Sequence, residues 1–69
     1  MSKKFAELDY IIRYEQGDLR GQEVLELFAH LIKNRLIGSL QGSYSRVAGS
    51  LIDRGYIDAN GKILKDIDE

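Results

Sequence analysis

Apolar positions recur with a helical period in three stretches of this chain, and the period is lost after Gly55. The spacing predicts a first helix over residues 3–16, where Phe5, Leu8 and Ile12 fall at i, i+3 and i+7 with Ile11 beside them. Ser2 is its expected N-cap. Gly17 is its expected end, because glycine accepts the left-handed conformation that closes a helix. Asp9 and Arg13 stand at i, i+4 and are spaced to pair on the polar face. A second helix is expected over residues 22–36. Its apolar positions Val24, Leu25, Leu27, Phe28, Leu31, Ile32 and Leu36 make a stripe wider than a surface helix needs. That width predicts a central helix packed on two sides. Glu23 and Glu26 near its start, and Lys33 and Arg35 near its end, complement the helix dipole. A third helix is expected over residues 44–54, where Tyr44, Val47, Ala48, Leu51 and Ile52 fall at i, i+3, i+4, i+7 and i+8. Ser43 is its expected N-cap and Gly55 its expected close.

Beyond Gly55, Tyr56-Ile57-Asp58 and Lys62-Ile63-Leu64 flank Ala59-Asn60-Gly61. Asn-Gly between short apolar runs predicts a hairpin over residues 56–64 with a type I′ turn, which needs positive φ at both central residues. So short a hairpin must pack on the helices, since one alone is marginal. The acidic end from Asp66 to Glu69 is expected to fray. The fold expected is mainly α: one three-helix domain over residues 1–69 with a short C-terminal β-hairpin.

Composition narrows the function classes. A chain of 69 residues is one domain, and at this size only about 60% of the unfolded surface is buried on folding. There is no cysteine, hence no disulfide and no thiol chemistry, and the single histidine, His30, cannot build a histidine-rich metal site. Tight helical packing or self-association is left to supply stability, and a homo-oligomer is expected. A net charge of −1 and a pI near 5.8 lack the positive excess of a non-specific nucleic-acid binder. No apolar run approaches the ~20 residues of a membrane span. Met1-Ser2-Lys3-Lys4 leads into Phe5-Ala6-Glu7 without an apolar signal core, so a cytoplasmic address is expected.

Little in the chain suggests catalysis. No Cys/His pair and no phosphate-binding glycine loop with its lysine is present. Ser39, Ser43, Ser45 and Ser50 have only His30 as a base, on another helix. The chain is therefore expected not to be an enzyme and to carry no cofactor or metal. His30 reads as a partly exposed residue pairing with Glu26 at i, i+4.

The best site candidates are Gln41, Gly42, Ser43, Tyr44 and Arg46 at the start of the third helix. Gly42 would let a backbone approach closely. The free N–H groups and dipole of the helix start suit an anion, to which Arg46 adds a guanidinium. Tyr44 offers a ring and Gln41 an amide. The same residues also have a plain structural reading, in which Ser43 caps, Tyr44 is core, Gly42 turns the chain and Arg46 is solvated. The order helix–turn–helix–hairpin is also that of a winged helix-turn-helix, with the third helix as DNA reader. Against it stand the few cations there, Arg46 and Arg54, and the long interval from Leu36 to Tyr44.

Tyr14-Glu15-Gln16-Gly17, Leu27-Phe28, Leu31-Ile32, the string Leu40-Gln41-Gly42-Ser43-Tyr44-Ser45-Arg46, Ala48, Leu51-Ile52 and Gly55-Tyr56-Ile57 form a pattern over residues 10–57. In it the chain resembles a family of small bacteriophage accessory proteins without an assigned function. The most specific part of the resemblance is the Leu-Gln-Gly-x-Tyr-x-Arg string. Such proteins place a glycine near position 35 and an aromatic near 38, where this chain has Arg35 and Gly38. That departure bears on the end of the second helix and on a gap beside Tyr44. The resemblance implies a small binding protein in the bacterial cytoplasm that sequesters or inhibits a host factor, with a host protein or a second copy as partner. The alternatives are a nucleotide or other small phosphate ligand held by the Gln41–Arg46 turn, and DNA held by the third helix.

Overall fold

A computed structural model describes residues 6–65 of the chain. It is mainly helical: α1 (Glu7–Glu15), α2 (Gly21–Lys33) and α3 (Gly42–Asp53), with a 3-10 turn, Ile37–Ser39, between α2 and α3. The expected cap at Ser2, the helix start at Lys3, the contribution of Phe5 and the fraying of Asp66–Glu69 lie outside the described residues.

The wide stripe of the second helix becomes the core. Leu25, Leu27, Phe28 and Leu31 of α2 are wholly buried, and Ala29 lies among them. Each large side chain so buried contributes roughly 1.5–3 kcal/mol of transfer free energy. α3 adds Tyr44, Ala48 and Leu51, and the C-terminal segment adds Ile57. α1 adds Tyr10, Ile11 and Tyr14, which pack against this cluster from outside. The start of α2 is fastened by Glu23, whose carboxylate accepts the Arg20 N–H at 3.1 Å. That bond is the main reason the Glu23 carboxyl titrates below its ordinary range. Glu23 also meets Arg13 of α1 at 3.2 Å. The expected Asp9–Arg13 pair forms at 3.6 Å.

The face of α1 differs from expectation. Leu8 and Ile12, on the expected apolar face, are 71% and 46% exposed. The inward positions are Tyr10, Ile11 and Tyr14, an equally valid helical set at i, i+1 and i+4. Tyrosine can pack its ring inward while its hydroxyl finds an acceptor, and the Tyr10 hydroxyl donates to Glu26 at 3.2 Å.

All three helices end in the same way. The N–H two residues past the last full turn bonds back to a carbonyl inside the helix: Asp18 to Arg13, Leu36 to Leu31 and Tyr56 to Leu51. The residue before it donates to the next carbonyl, as Gly17 does to Tyr14, Arg35 to Ile32 and Gly55 to Ile52. This is the Schellman motif, which needs a left-handed residue at the turn. Gly17 and Gly55 supply it at φ 80° and 79°, as expected for both. At the end of α2 it is Arg35, at φ 59°, that adopts it. α2 therefore stops at Lys33, short of the expected Leu36. A side chain in this region costs about 1–2 kcal/mol relative to its absence.

The expected hairpin does not form as strands. After α3 the chain makes a turn closed by a single antiparallel bridge between Ile57 and Ile63. The cause is Asp58. Its carboxylate accepts the N–H groups of Asn60 at 2.8 Å and Lys62 at 3.0 Å. The Gly61 N–H meanwhile donates to the Asp58 carbonyl at 3.0 Å. That places Ala59 and Asn60, neither with positive φ, at the centre of the turn and Gly61, at φ 87°, after it. A type I′ turn is excluded. Gly61 itself lies against α2: a Cβ there would stand 2.6 Å from the Ala29 carbonyl oxygen and 2.7 Å from the Lys33 nitrogen. Both are backbone atoms and cannot move aside.

Gly61→Ala should therefore destabilise the fold by roughly 2–4 kcal/mol in urea unfolding, combining a backbone clash with strain at positive φ. Arg35→Gly should raise the melting temperature by removing the left-handed penalty. A neutral Gly61→Ala protein would show that the C-terminal turn does not seat on α2.

Candidate functional site

The seven-residue string Leu40–Arg46 divides between core and surface. Gln41 is the N-cap residue of α3, and Gly42 is its first residue. Gln41, Gly42, Ser43 and Arg46 are exposed, whereas Tyr44 retains 3% of its surface. Ser43 lies inside α3 and does not cap it, and the cap residue makes no side-chain bond to the helix start. Gly42 has an ordinary φ, and a Cβ on it would meet nothing within 4 Å, so no close approach requires a glycine there.

Tyr44 belongs to a ring cluster to which each helix gives one member. Its ring stacks on Phe28 of α2 with centroids 5.9 Å apart, and Tyr14 of α1 stands 5.5 Å from it and 5.4 Å from Phe28. Such pairs add about 0.5–1.5 kcal/mol each beyond burial. The Tyr44 hydroxyl donates to Glu15 at 2.8 Å. Burial first, and that bond second, push the Tyr44 hydroxyl up to about 12. The ring that was a candidate stacking platform is thus occupied within the protein. Gln41, Gly42, Ser43 and Arg46 share one end of α3, and Tyr44 turns away from them into the core.

His30 does not pair with Glu26. Its Nε2 lies 3.0 Å from Glu7 of α1, and its Nδ1 lies 3.3 Å from the Asn34 amide nitrogen. Asn34 also donates to the His30 carbonyl at 2.9 Å. His30 is therefore a tie between α1 and the end of α2. No group of three or more metal-ligating side chains occurs among the described residues.

An open concavity lies beside the string. A groove of about 400 Å³ runs between the end of α2, the 3-10 turn and α3. It is lined by Ile32 and Arg35, by Ile37 and Gly38, and by Ser45, Ala48, Gly49 and Ile52 of α3. The volume falls within the range of sites that hold small molecules. Arg35 is the one charged residue of the lining and takes part in none of the ion pairs among the described residues. α3 thus presents Tyr44, Ala48 and Leu51 to the core and Ser45, Gly49 and Ile52 to the groove, with Ala48 shared. Ser45, weighed in the sequence only as a serine without a nearby base, is the residue of the string that lines the groove. Gly38 and Gly49 look like turn and helix residues until the walls around them are assembled.

The chain belongs to the family described as a domain of unknown function (DUF7417), which matches residues 1–69. No curated protein and no solved structure matches it.

Alkaline titration checks the ring cluster. Tyr44 ionises near its ordinary value of 10.0 when unfolded and near 12 when folded, so the native state holds the proton more tightly over that interval. Stability should be level through neutral pH and fall by on the order of 2 kcal/mol between these values. The Tyr10 hydroxyl, raised by burial and by its bond to Glu26, adds to the same fall. Tyr44→Phe should be less stable at neutral pH and should lose most of the alkaline slope in pH-dependent urea unfolding. An unchanged slope would place Tyr44 outside the core.

Proposed function

We propose that this protein is a non-enzymatic binding protein that docks a partner protein in the groove between α2 and α3. The observation that carries this reading is the groove itself: an open apolar concavity on a very small domain, lined by Ile32, Ile37 and Ile52 together with the small residues Gly38, Ala48 and Gly49. Its emptiness is not forced by local geometry. A Cβ at Gly38 or Gly49 would meet nothing within 4 Å, and both glycines have ordinary φ. Glycine inside a helix costs roughly 0.5–1 kcal/mol relative to alanine, so Gly49 keeps space at the expense of stability. Taken with the resemblance to small phage accessory proteins, the partner we propose is a bacterial host protein that the chain sequesters or inhibits.

The DNA-binding alternative has less support. The wing on which it depends is reduced to one bridge, and the net charge is −1. The nucleotide alternative would have to work without the Tyr44 ring.

Affinity capture from bacterial lysate tests the docking reading. The wild-type protein should retain a specific partner, and Gly49→Leu, which fills the groove with a better helix former, should release it while keeping its circular dichroism and melting no lower than wild type. Repeated recovery of no partner, or equal recovery by both proteins, would refute docking at this groove.

A second reading, self-association, is favoured by one observation. Leu8 and Ile12 stand one turn apart on the outer face of α1, 71% and 46% exposed. Sedimentation should give a dimer or larger, reverting to the monomer mass in Leu8→Glu. A monomer at high concentration would remove this reading.

A further inference from the structure

We infer that the occupant of the groove is a peptide segment that inserts a branched aliphatic side chain and sets a carboxylate beside it, held by Arg35. This rests on the docking reading above and specifies the chemistry of the partner. Three isoleucine side chains line the groove from α2, the 3-10 turn and α3. They offer dispersion and burial to an aliphatic group but nothing to orient it. Only Ser45 and Arg35 supply polar side chains to the lining. A guanidinium has five donors and no acceptor, so it selects an anion, and its planar fork fits a carboxylate. Charge complementarity thus names the second half of the ligand. The guanidinium is available for it, because Arg35 is exposed and joins no ion pair among the described residues.

The backbone at this position supports the assignment. Helices α1 and α3 close their Schellman turns with glycine, the residue suited to positive φ. α2 closes with Arg35 at φ 59°. A glycine would fold better there and would leave the groove without its cation. A strained residue kept where its side chain borders a concavity is a pointer to function. A second copy of the chain is a less fitting occupant. The exposed apolar pair on α1, Leu8 and Ile12, is flanked in sequence by Glu7 and Asp9, and each already has a partner, His30 at 3.0 Å and Arg13 at 3.6 Å.

Nitrogen-15 NMR titration tests the inference with two fragments, N-acetyl-leucyl-leucine and its C-terminal amide. The acid should shift the amides of Gly38, Ser45, Gly49 and Ile52 in a saturable way. The amide should bind roughly two- to fivefold more weakly, the worth of a solvent-screened ion pair. Arg35→Met, which keeps the aliphatic stem, should bring the two affinities together. Arg35→Gly should do the same while melting higher than wild type. Equal binding of acid and amide to the wild-type protein would overturn the carboxylate assignment and leave groove docking standing. No shift at the groove with either fragment, while Gly49→Leu still releases a partner from lysate, would show an occupant of other chemistry. Groove resonances that move with protein concentration alone would identify a second copy instead. Failure of Gly49→Leu to affect capture would remove the docking reading itself.

Discussion

Phe28 meets Tyr14 in a T-shaped contact and stacks on Tyr44, so that each helix gives one ring to a single cluster. A domain this small has no room for a second core, and the relative positions of its helices rest on that cluster. The Tyr44–Glu15 bond at 2.8 Å adds direction to what ring packing leaves adjustable. It links the end of α1 to the start of α3 across the ring of Phe28. No buried side-chain nitrogen or oxygen among the described residues is left without a partner. That matters more here than in a large protein, since one unsatisfied group costs about 1–3 kcal/mol against a total stability of only a few.

The ring cluster also determines what α3 can offer to the outside. Once Tyr44, Ala48 and Leu51 are committed to the core, the helical repeat leaves Ser45, Gly49 and Ile52 on the adjoining face. The 3-10 turn and the end of α2 form the opposite wall. The groove is therefore a product of the same register that buries Tyr44. The two faces are separable in their effects: a change at Gly49 adds atoms to the groove, whereas a change at Tyr44 removes them from the core. The same register explains why the string Leu40–Arg46 looked like a unit in the sequence and is not one in space. Its alternate residues serve different masters.

Much of this fold was legible in the sequence, and the reasons are physical. The central helix was marked by its width, because only a helix covered on two sides carries apolar residues over so much of its circumference. The third helix was marked by five positions in strict period, and its glycine terminus by the left-handed turn it must make. α1 was legible in part: Ile11 packs inward as expected, but Leu8 and Ile12 face outward. Tyr10 and Tyr14 were counted as neither core nor surface, although their rings pack inward and their repeat is as good as that of Leu8 and Ile12. The hairpin failed for a different reason. Asn60-Gly61 favours one turn, but Asp58 two residues earlier caps the Asn60 and Lys62 N–H groups and sets another. A local side-chain bond outweighed a dipeptide preference. At the site, the exposure of Gln41, Gly42, Ser43 and Arg46 matched their polarity. The groove was invisible because a cavity is a relation among segments distant in sequence, and part of its lining is glycine, defined by what it lacks.

The end of α2 shows how these two levels meet. A glycine at position 35 is what helix chemistry asks for, as the ends of α1 and α3 demonstrate, and the resemblance had already marked the missing glycine there. Arg35 nevertheless takes the left-handed conformation, held by the bonds from Arg35 to Ile32 and from Leu36 to Leu31. The last residue of the motif, Leu36, packs against the core and keeps the turn closed even without glycine. The strain at Arg35 is thus carried by apolar packing one residue further on. Two neighbouring positions divide the work: Leu36 retains the turn, and Arg35 is left to put a cation at the edge of an apolar groove. Gly38 completes the arrangement from the opposite direction, giving up side-chain packing next to a helix end that has kept one where it is least welcome. Local stability is surrendered at Arg35, Gly38 and Gly49, and all three border the same space.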